Sequence, residues 1–314
     1  MKKDISIIIS VFNEEENLPL LLSRLKELRQ ALNKNIEIIF VDDGSTDKSF
    51  EILKDTKNKG EDIFIIKFKR NFGQTATIAA GFEHAKGDII ITMDADLQND
   101  PADVPLLIAE IEKGYDIVSG WRKNRQDPFL SRKLPSYIAN RIISWYTGVR
   151  LHDYGCSLKA YRRELVKDVS LYGELHRFIP ALMSWSGASI KEIPVHHYPR
   201  KFGKSKYGIS RTFSVILDLL TVKFLLVSSK GPMQIFGRIG LWCVLLGFIS
   251  GAVTIPMKYF LNYNLTGNPL LYLSVLLIIV SLQFFSLGLL GEISMRIYNK
   301  SQAKTIYVKE VVIE

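Results

Sequence analysis

The sequence predicts an α/β domain on a mostly parallel sheet, followed by interfacial amphipathic helices and a two-helix transmembrane hairpin. Three observations lead there. Short β-rich runs alternate with helical patterns from residue 5 to residue 119. Acidic residues recur just past the apolar runs. Beyond residue 230 the composition changes to two long stretches without a charge.

Strands are expected at Ile5–Val11, Ile36–Val41, Ile63–Phe68, Ile89–Met93 and Ile117–Ser119, and helices at Leu18–Leu32, Lys48–Lys57, Thr75–Ala85 and Val104–Glu112. Such a βαβ series implies parallel strands covered by helices. In open sheets of this kind, ligands bind beyond the carboxyl ends of the strands. There the chain reads "VFNEEEN", "VDDGSTD" and "MDADLQ". Ser45 and Asp100 fit helix capping, because their side chains accept from free N–H groups at a helix start. Three acid-rich strand ends on one cleft are more than capping requires. Asp42, Asp43, Asp94 and Asp96 would repel one another and raise each other's pKa unless a counter-ion joins them.

A divalent cation, Mg2+ or Mn2+, meets that need, since magnesium commonly takes one or two carboxylates plus substrate phosphates. Asp94 and Asp96 can face one cleft while Ala95 points away, and Gln98 can add an oxygen. No G-x-G-x-x-G follows the first strand and no P-loop pattern occurs, so neither a dinucleotide fold nor a P-loop enzyme is supported.

The net charge of +9 points to an anionic partner. Nucleic acid is set aside, because no zinc finger, RRM signature or basic helix with heptads is present. Cys156 and Cys243 are far apart, which fits a reducing cytoplasmic setting rather than a disulfide. The start "MKKDISIIIS" reads as a strand, not a signal peptide. Ile239–Met257 and Leu270–Gly291 run nineteen and twenty-two residues without a charge, each long enough to span a bilayer. Lys204, Lys206, Arg211, Lys223 and Lys230 precede the first span, and Arg296, Lys300 and Lys304 follow the second. The positive-inside rule then places the main domain and both termini in the cytoplasm, on a multi-pass protein of the inner or plasma membrane. "RTFSVILDLLTVKFLLVSSKGP" is interrupted by Asp218 and Lys223 and reads as amphipathic helices in the interface. The expected divisions are therefore 1–210, 211–232, 233–292 and a tail at 293–314. The tail's "KTIYVKEVVIE" alternates like a strand and is a candidate for pairing with another chain, and a homo-oligomer is left open.

"SVFNEEEN", "VDDGSTD", "DADLQ" and "RKFGKSKYG", in this order, resemble the successive motifs of family-2 glycosyltransferases with a GT-A fold. More narrowly they resemble polyprenyl-phosphate glycosyltransferases of the dolichol-phosphate mannose synthase type, and the hairpin resembles the bactoprenol glucosyltransferase branch. The resemblance spans residues 5 to 210. It implies that Val11, Phe12 and Glu14 lie against the donor nucleotide, with Glu14 at the ribose, and that Asp42 and Asp43 reach the base and ribose. It also implies that Asp94, Asp96 and Gln98 engage the metal and the sugar-diphosphate, with Asp96 in a catalytic role. Where the family usually has Pro and Tyr, this chain has Ser10 and Phe12, so the nucleotide stays open.

Transfer to a lipid monophosphate needs a positive clamp more than a strong base, because the acceptor oxygen is already anionic. "HHYPRKFGKSKYG" supplies one, and the family pattern V-x-H-x-x-R-x-x-G-x-S-K-Y from Val195 to Tyr207 assigns the acceptor phosphate to Arg200, Ser205 and Lys206. The same pattern places His197, as a structural or a catalytic residue. Arg122, Arg125 and Arg132 after "VSGWR" could close over phosphate. Asp153 matches the family Asp that orients or deprotonates the acceptor, and orientation is the reading taken here. Gly73 and Gly81 are expected to permit tight packing. The expected reaction is metal-dependent inverting transfer of a sugar, from UDP-glucose or UDP-N-acetylglucosamine, to undecaprenyl or another polyprenyl phosphate. The alternatives are a GDP-mannose donor or a non-catalytic nucleotide-sugar-binding scaffold.

Overall fold

The computed structural model describes residues 3–123, 140–141, 143–144, 147–166, 171, 175–185, 187–200, 232–261, 264, 266–301 and 307–313. Arg125, Arg132, Ser205, Lys206 and the interfacial segment at 211–231 lie outside the described residues. The chain forms two compact units, one of Met1–Val222 with Thr305–Glu314 and one of Lys223–Lys304.

The first unit follows the expected alternation. β1 (Ile5–Val11), α1 (Leu18–Ala31), β2 (Ile36–Asp42), α2 (Ser49–Asn58), β3 (Ile63–Phe68), α3 (Gln74–His84) and β4 (Ile89–Asp94) come first. After α4 (Val104–Glu112) and β5 (Ile117–Trp121) come β6 (Lys159–Arg162), α5 (Ile179–Trp185), β7 (Ile190–Pro194) and, from the C-terminus, β8 (Lys309–Ile313). The eight strands are ordered β7-β5-β6-β4-β1-β2-β3-β8. β1 pairs in parallel with both β2 and β4, while β6 runs antiparallel between β4 and β5. β1 is almost wholly buried, as expected for an apolar strand covered on both faces. A Cβ on Gly81 would collide with the Ile8 side chain, so this glycine lets α3 lie close on β1. Gly73 differs from the expectation: nothing crowds it, and it sits at φ 93°, a backbone state open to glycine.

The chain reverses its direction of strand addition at β1, with β2 on one side and β4 on the other, and ligands favour such switch points. Pairing Val11 with Asp42 and Ser10 with Asp94 brings the acid-bearing ends of all three strands to one level.

The tail finds its neighbour here, and one capping expectation is corrected. The tail forms the strand its alternation implied: β8 pairs antiparallel with β3 of its own sheet, Ile313 opposite Ile65. Tyr307 stacks on Phe68 at 4.7 Å and its hydroxyl donates to Glu83. Ser45 does not cap a helix, because α2 starts four residues later and Ser45 instead donates to Asp42 and accepts the Asn13 N–H. Asp100 does cap, accepting the Ala102 N–H at 3.0 Å.

The second unit holds α6 (Pro232–Leu261) and α7 (Pro269–Ser301). Both outrun the uncharged stretches, and α7 continues past residue 292. Each is long and apolar enough to cross a membrane, yet only 17% of its most apolar window is buried. A soluble core helix would be mostly buried, whereas here Leu241, Trp242, Phe248 and Leu282 face outward. The facing surfaces carry small residues, and Ser274 Oγ donates to the Gly247 carbonyl at 2.8 Å.

Candidate active site

The site is built on the ends of β1, β2 and β4. Past β1, Asn13 turns the chain at φ 52° and its side-chain oxygen accepts the Thr46 N–H at 2.8 Å. Glu14 follows, 8% exposed, with its N–H on Ser49 Oγ at 2.8 Å and its carboxylate accepting from Asn17 Nδ2 at 2.6 Å. Val11 is buried and Phe12 half-buried at the same strand end.

At the end of β2, the two aspartates differ. Asp43 accepts the N–H groups of Phe72 and Gly73 at 2.7 and 2.9 Å, so it anchors the loop leading into α3. Burial nonetheless pushes it up to about 6. Asp42 is fully buried; Oδ1 accepts from Ser45, while Oδ2 has no hydrogen-bond partner. Burial raises its pKa too. A buried acceptor without a donor is an unfilled position, and a ligand hydroxyl or N–H fits it.

At the end of β4, Asp94 accepts from Gln74 Nε2 at 2.6 Å. Burial, and then the charge of Asp96, push it up to about 6, which is the charge conflict the sequence implied. Asp96 is 7% exposed and accepts the Gln98 N–H at 3.1 Å through Oδ1. Leu97 between them sits at φ 60°, a strained state for a non-glycine residue. Arg200 supplies a partial answer to the conflict. Its Nη2 donates to Asp96 Oδ2 at 2.8 Å and its Nη1 lies 3.8 Å from Glu14. Tyr198 N–H on the Gln98 carbonyl and the Asn99–His197 bridge carry Arg200 to this place.

A second cluster lies past β5. Arg122 binds Asp153 bidentately, Nε to Oδ2 at 2.7 Å and Nη2 to Oδ1 at 2.9 Å. Asp153 is 3% exposed and also accepts the Gly155 N–H. A side chain at Gly155 would stand 3.2 Å from the guanidinium, so glycine leaves room for the pair. Lys159, buried in β6, donates to the carbonyls of Tyr154 and Cys156, and burial lowers its pKa.

Among the described residues no three His, Cys, Asp or Glu side chains form a metal cage. The donor set still fits a cation of the magnesium type, which needs only one or two carboxylates when substrate phosphates complete its shell. Asp94 and Asp96 would be those two, with the half-buried Gln98 beside them. Sequence reasoning missed the ion pair of Arg200 with Asp96, the contact of Gln74 with Asp94, and buried Lys159. Each partner lies far away in the chain or in a strand too short and polar to read.

A mostly parallel sheet with acidic strand ends at its switch point, near the Arg200–Asp96 and Arg122–Asp153 pairs, is the architecture of a GT-A fold. Residues 6–170 match the family described as glycosyl transferase family 2, and the chain belongs to that family. It is similar to the dodecaprenyl-phosphate galacturonate synthase of Rhizobium johnstonii, with 41% identity over 97% of this chain and 91% of that protein. It is also similar to the undecaprenyl-phosphate 4-deoxy-4-formamido-L-arabinose transferase of Yersinia pestis, with 39% identity over 99% and 94%. In fold it resembles glucosyl-3-phosphoglycerate synthase from Mycobacterium tuberculosis in complex with Mn2+, UDP and glucosyl-3-phosphoglycerate. The TM-score is 0.56 at 14% identity, over 71% of this chain and 80% of that one.

Proposed function

We propose that the protein transfers a sugar from a nucleotide sugar to a polyprenyl phosphate at the cytoplasmic face of a membrane, in one inverting displacement. The observation that carries this reading is the juxtaposition of Asp94 and Asp96 with Arg200, for which a sugar-diphosphate and its cation are the complementary ligand. Both relatives, similar over nearly their whole lengths, are named for a polyprenyl phosphate.

Glu14 and the open oxygen of Asp42 hold the nucleotide, with Val11 and Phe12 along it and Asp43 fixing the adjoining loop. A cation on Asp94 and Asp96, Mg2+ or Mn2+, would act as a Lewis acid on the leaving diphosphate. Arg122 and Arg200, with Arg132, Ser205 and Lys206, receive the acceptor phosphate. Asp153 orients the acceptor site through Arg122 rather than taking a proton, since Arg122 occupies both its oxygens and the phosphate nucleophile is already anionic.

α6 and α7 span the bilayer as a hairpin. The return of β8 to the sheet of the first unit supports a cytoplasmic C-terminus on the side of the catalytic unit. The bacterial resemblance favours UDP-glucose or UDP-N-acetylglucosamine. The relatives' names add galacturonate and 4-deoxy-4-formamido-L-arabinose, and they do not favour mannose.

The test incubates full-length protein with undecaprenyl phosphate, Mn2+ and a donor panel covering these sugars, with lipid products read by mass. A sugar-bearing lipid with the wild type, and loss of about two to three orders of magnitude in rate with a folded Asp96→Ala, is the expected result. Wild-type protein inactive with every donor, or full activity in Asp96→Ala, would count against the proposal.

A further inference from the structure

We propose that Glu192 is a positioning residue for this transfer: from β7 its carboxylate fixes the turn bearing Asp153, and through Asp153 it sets the plane of the Arg122 guanidinium. The proposal rests on the reading of Arg122 as a residue that meets the acceptor phosphate.

The Glu192 side chain is 10% exposed, and its two oxygens gather the donors of His152 and Asp153 in one short turn. The His152 N–H reaches them at 2.8 and 3.1 Å, His152 Nδ1 lies 2.7 Å from Oε2, and the Asp153 N–H donates at 2.9 Å. Asp153 then grips Arg122 along one edge of its guanidinium. Such a bidentate pair fixes orientation as well as adding energy. On the other side, the His152 ring stacks on Trp121, the residue before Arg122, at 4.4 Å and 19°. The turn is thus held between β5 and β7, and the acid that holds it touches neither the nucleotide-binding strand ends nor Asp94 and Asp96.

Sheet integrity does not explain this arrangement. β5 and β7 already pair in parallel from Ile117 with Ile190 to Trp121 with Pro194. The segment before the turn is fastened separately, by Tyr154 Oη donating to the Val149 carbonyl at 2.7 Å. What Glu192 adds is the direction of Asp153. A carboxylate that is well placed but unheld loses rate through misplacement of its partner.

The experiment compares wild type, Glu192→Ala, Glu192→Gln, Arg122→Met and the double variant Glu192→Ala/Arg122→Met, all full-length in lipid nanodiscs. It measures KM for undecaprenyl phosphate and the dissociation constant of UDP with Mn2+. Glu192→Ala is expected to raise the acceptor KM about tenfold while UDP binding stays within about twofold. Glu192→Gln, which keeps the volume and one acceptor oxygen, should fall between and serves if the alanine variant does not fold. On the Arg122→Met background, Glu192→Ala should add nothing further, because the two act as one unit. Additive effects, or equal losses in acceptor and UDP affinity, would overturn the positioning role alone. An acceptor KM unchanged in Arg122→Met would overturn the assignment of Arg122 and this inference with it.

Discussion

Arg200 Nη2 donates to Asp96 Oδ2 at 2.8 Å, joining the end of β4 to a residue 104 positions further along the chain. Its Nη1, 3.8 Å from Glu14, brings the acid after β1 into the same contact. One guanidinium thus offsets part of the negative charge that the strand ends concentrate, and a cation bound at Asp96 would share or replace that contact.

Replacing Arg200 with Met should therefore separate binding from catalysis. Without a nucleotide present, Mn2+ is expected to bind about tenfold more tightly by calorimetry, because Asp96 no longer has a competing partner. Transfer to polyprenyl phosphate should fall by about a hundredfold or more, since the clamp loses its central donor. Weaker Mn2+ binding in this variant would contradict the reading of Asp96 as a cation ligand.

Asp42→Asn tests the open position at the end of β2. The substitution removes the charge and one acceptor from a fully buried site whose Oδ2 has no protein partner. UDP affinity is expected to fall by about 1–3 kcal/mol, roughly five- to 150-fold. Affinity equal to wild type would place the nucleotide elsewhere.

Acidity should act through Asp94, pushed up to about 6 by burial and by Asp96. A cation binds the carboxylate form, so protons compete below that value and stop competing above it. Apparent Mn2+ affinity should be flat above about pH 7 and fall about tenfold per unit below pH 6, with proton release on binding. Calorimetry in two buffers of different ionisation enthalpy measures both.

Tyr307→Ala tests the return of the tail. The ring is 5% exposed, stacks on Phe68, and its hydroxyl reaches Glu83. Its loss should destabilise the first unit by about 3 kcal/mol and lower its Tm by roughly 6–10 °C. A Tm within about 1 °C of wild type would show that the Tyr307 contacts contribute nothing to that unit.

The strands that were legible in the sequence are those buried on both faces. Ile5–Val11 and Ile63–Phe68 are apolar runs bounded by turns, and they form as read. β6, "KAYR", and β7, "IKEIP", were not read, because short strands with lysine inside carry no alternation to detect. Lys159 is buried there only because two backbone carbonyls receive it. The acids of "MDADLQ" announced a charge conflict, but neither Arg200 nor Gln74 could be named from spacing as the partner. Likewise "KEVVIE" showed a strand's alternation without its neighbour, since an edge strand pairs with whatever edge the fold leaves open.

The central claim is that a lipid monophosphate attacks the sugar and a nucleoside diphosphate leaves. The most direct measurement follows one turnover with a UDP-sugar accepted by the enzyme, quantifying released nucleotide and lipid product together. The expected result is UDP and a lipid carrying the sugar on a single phosphate, in equal amounts. Release of UMP with a sugar on a lipid diphosphate, or UDP released without any lipid product, would contradict it.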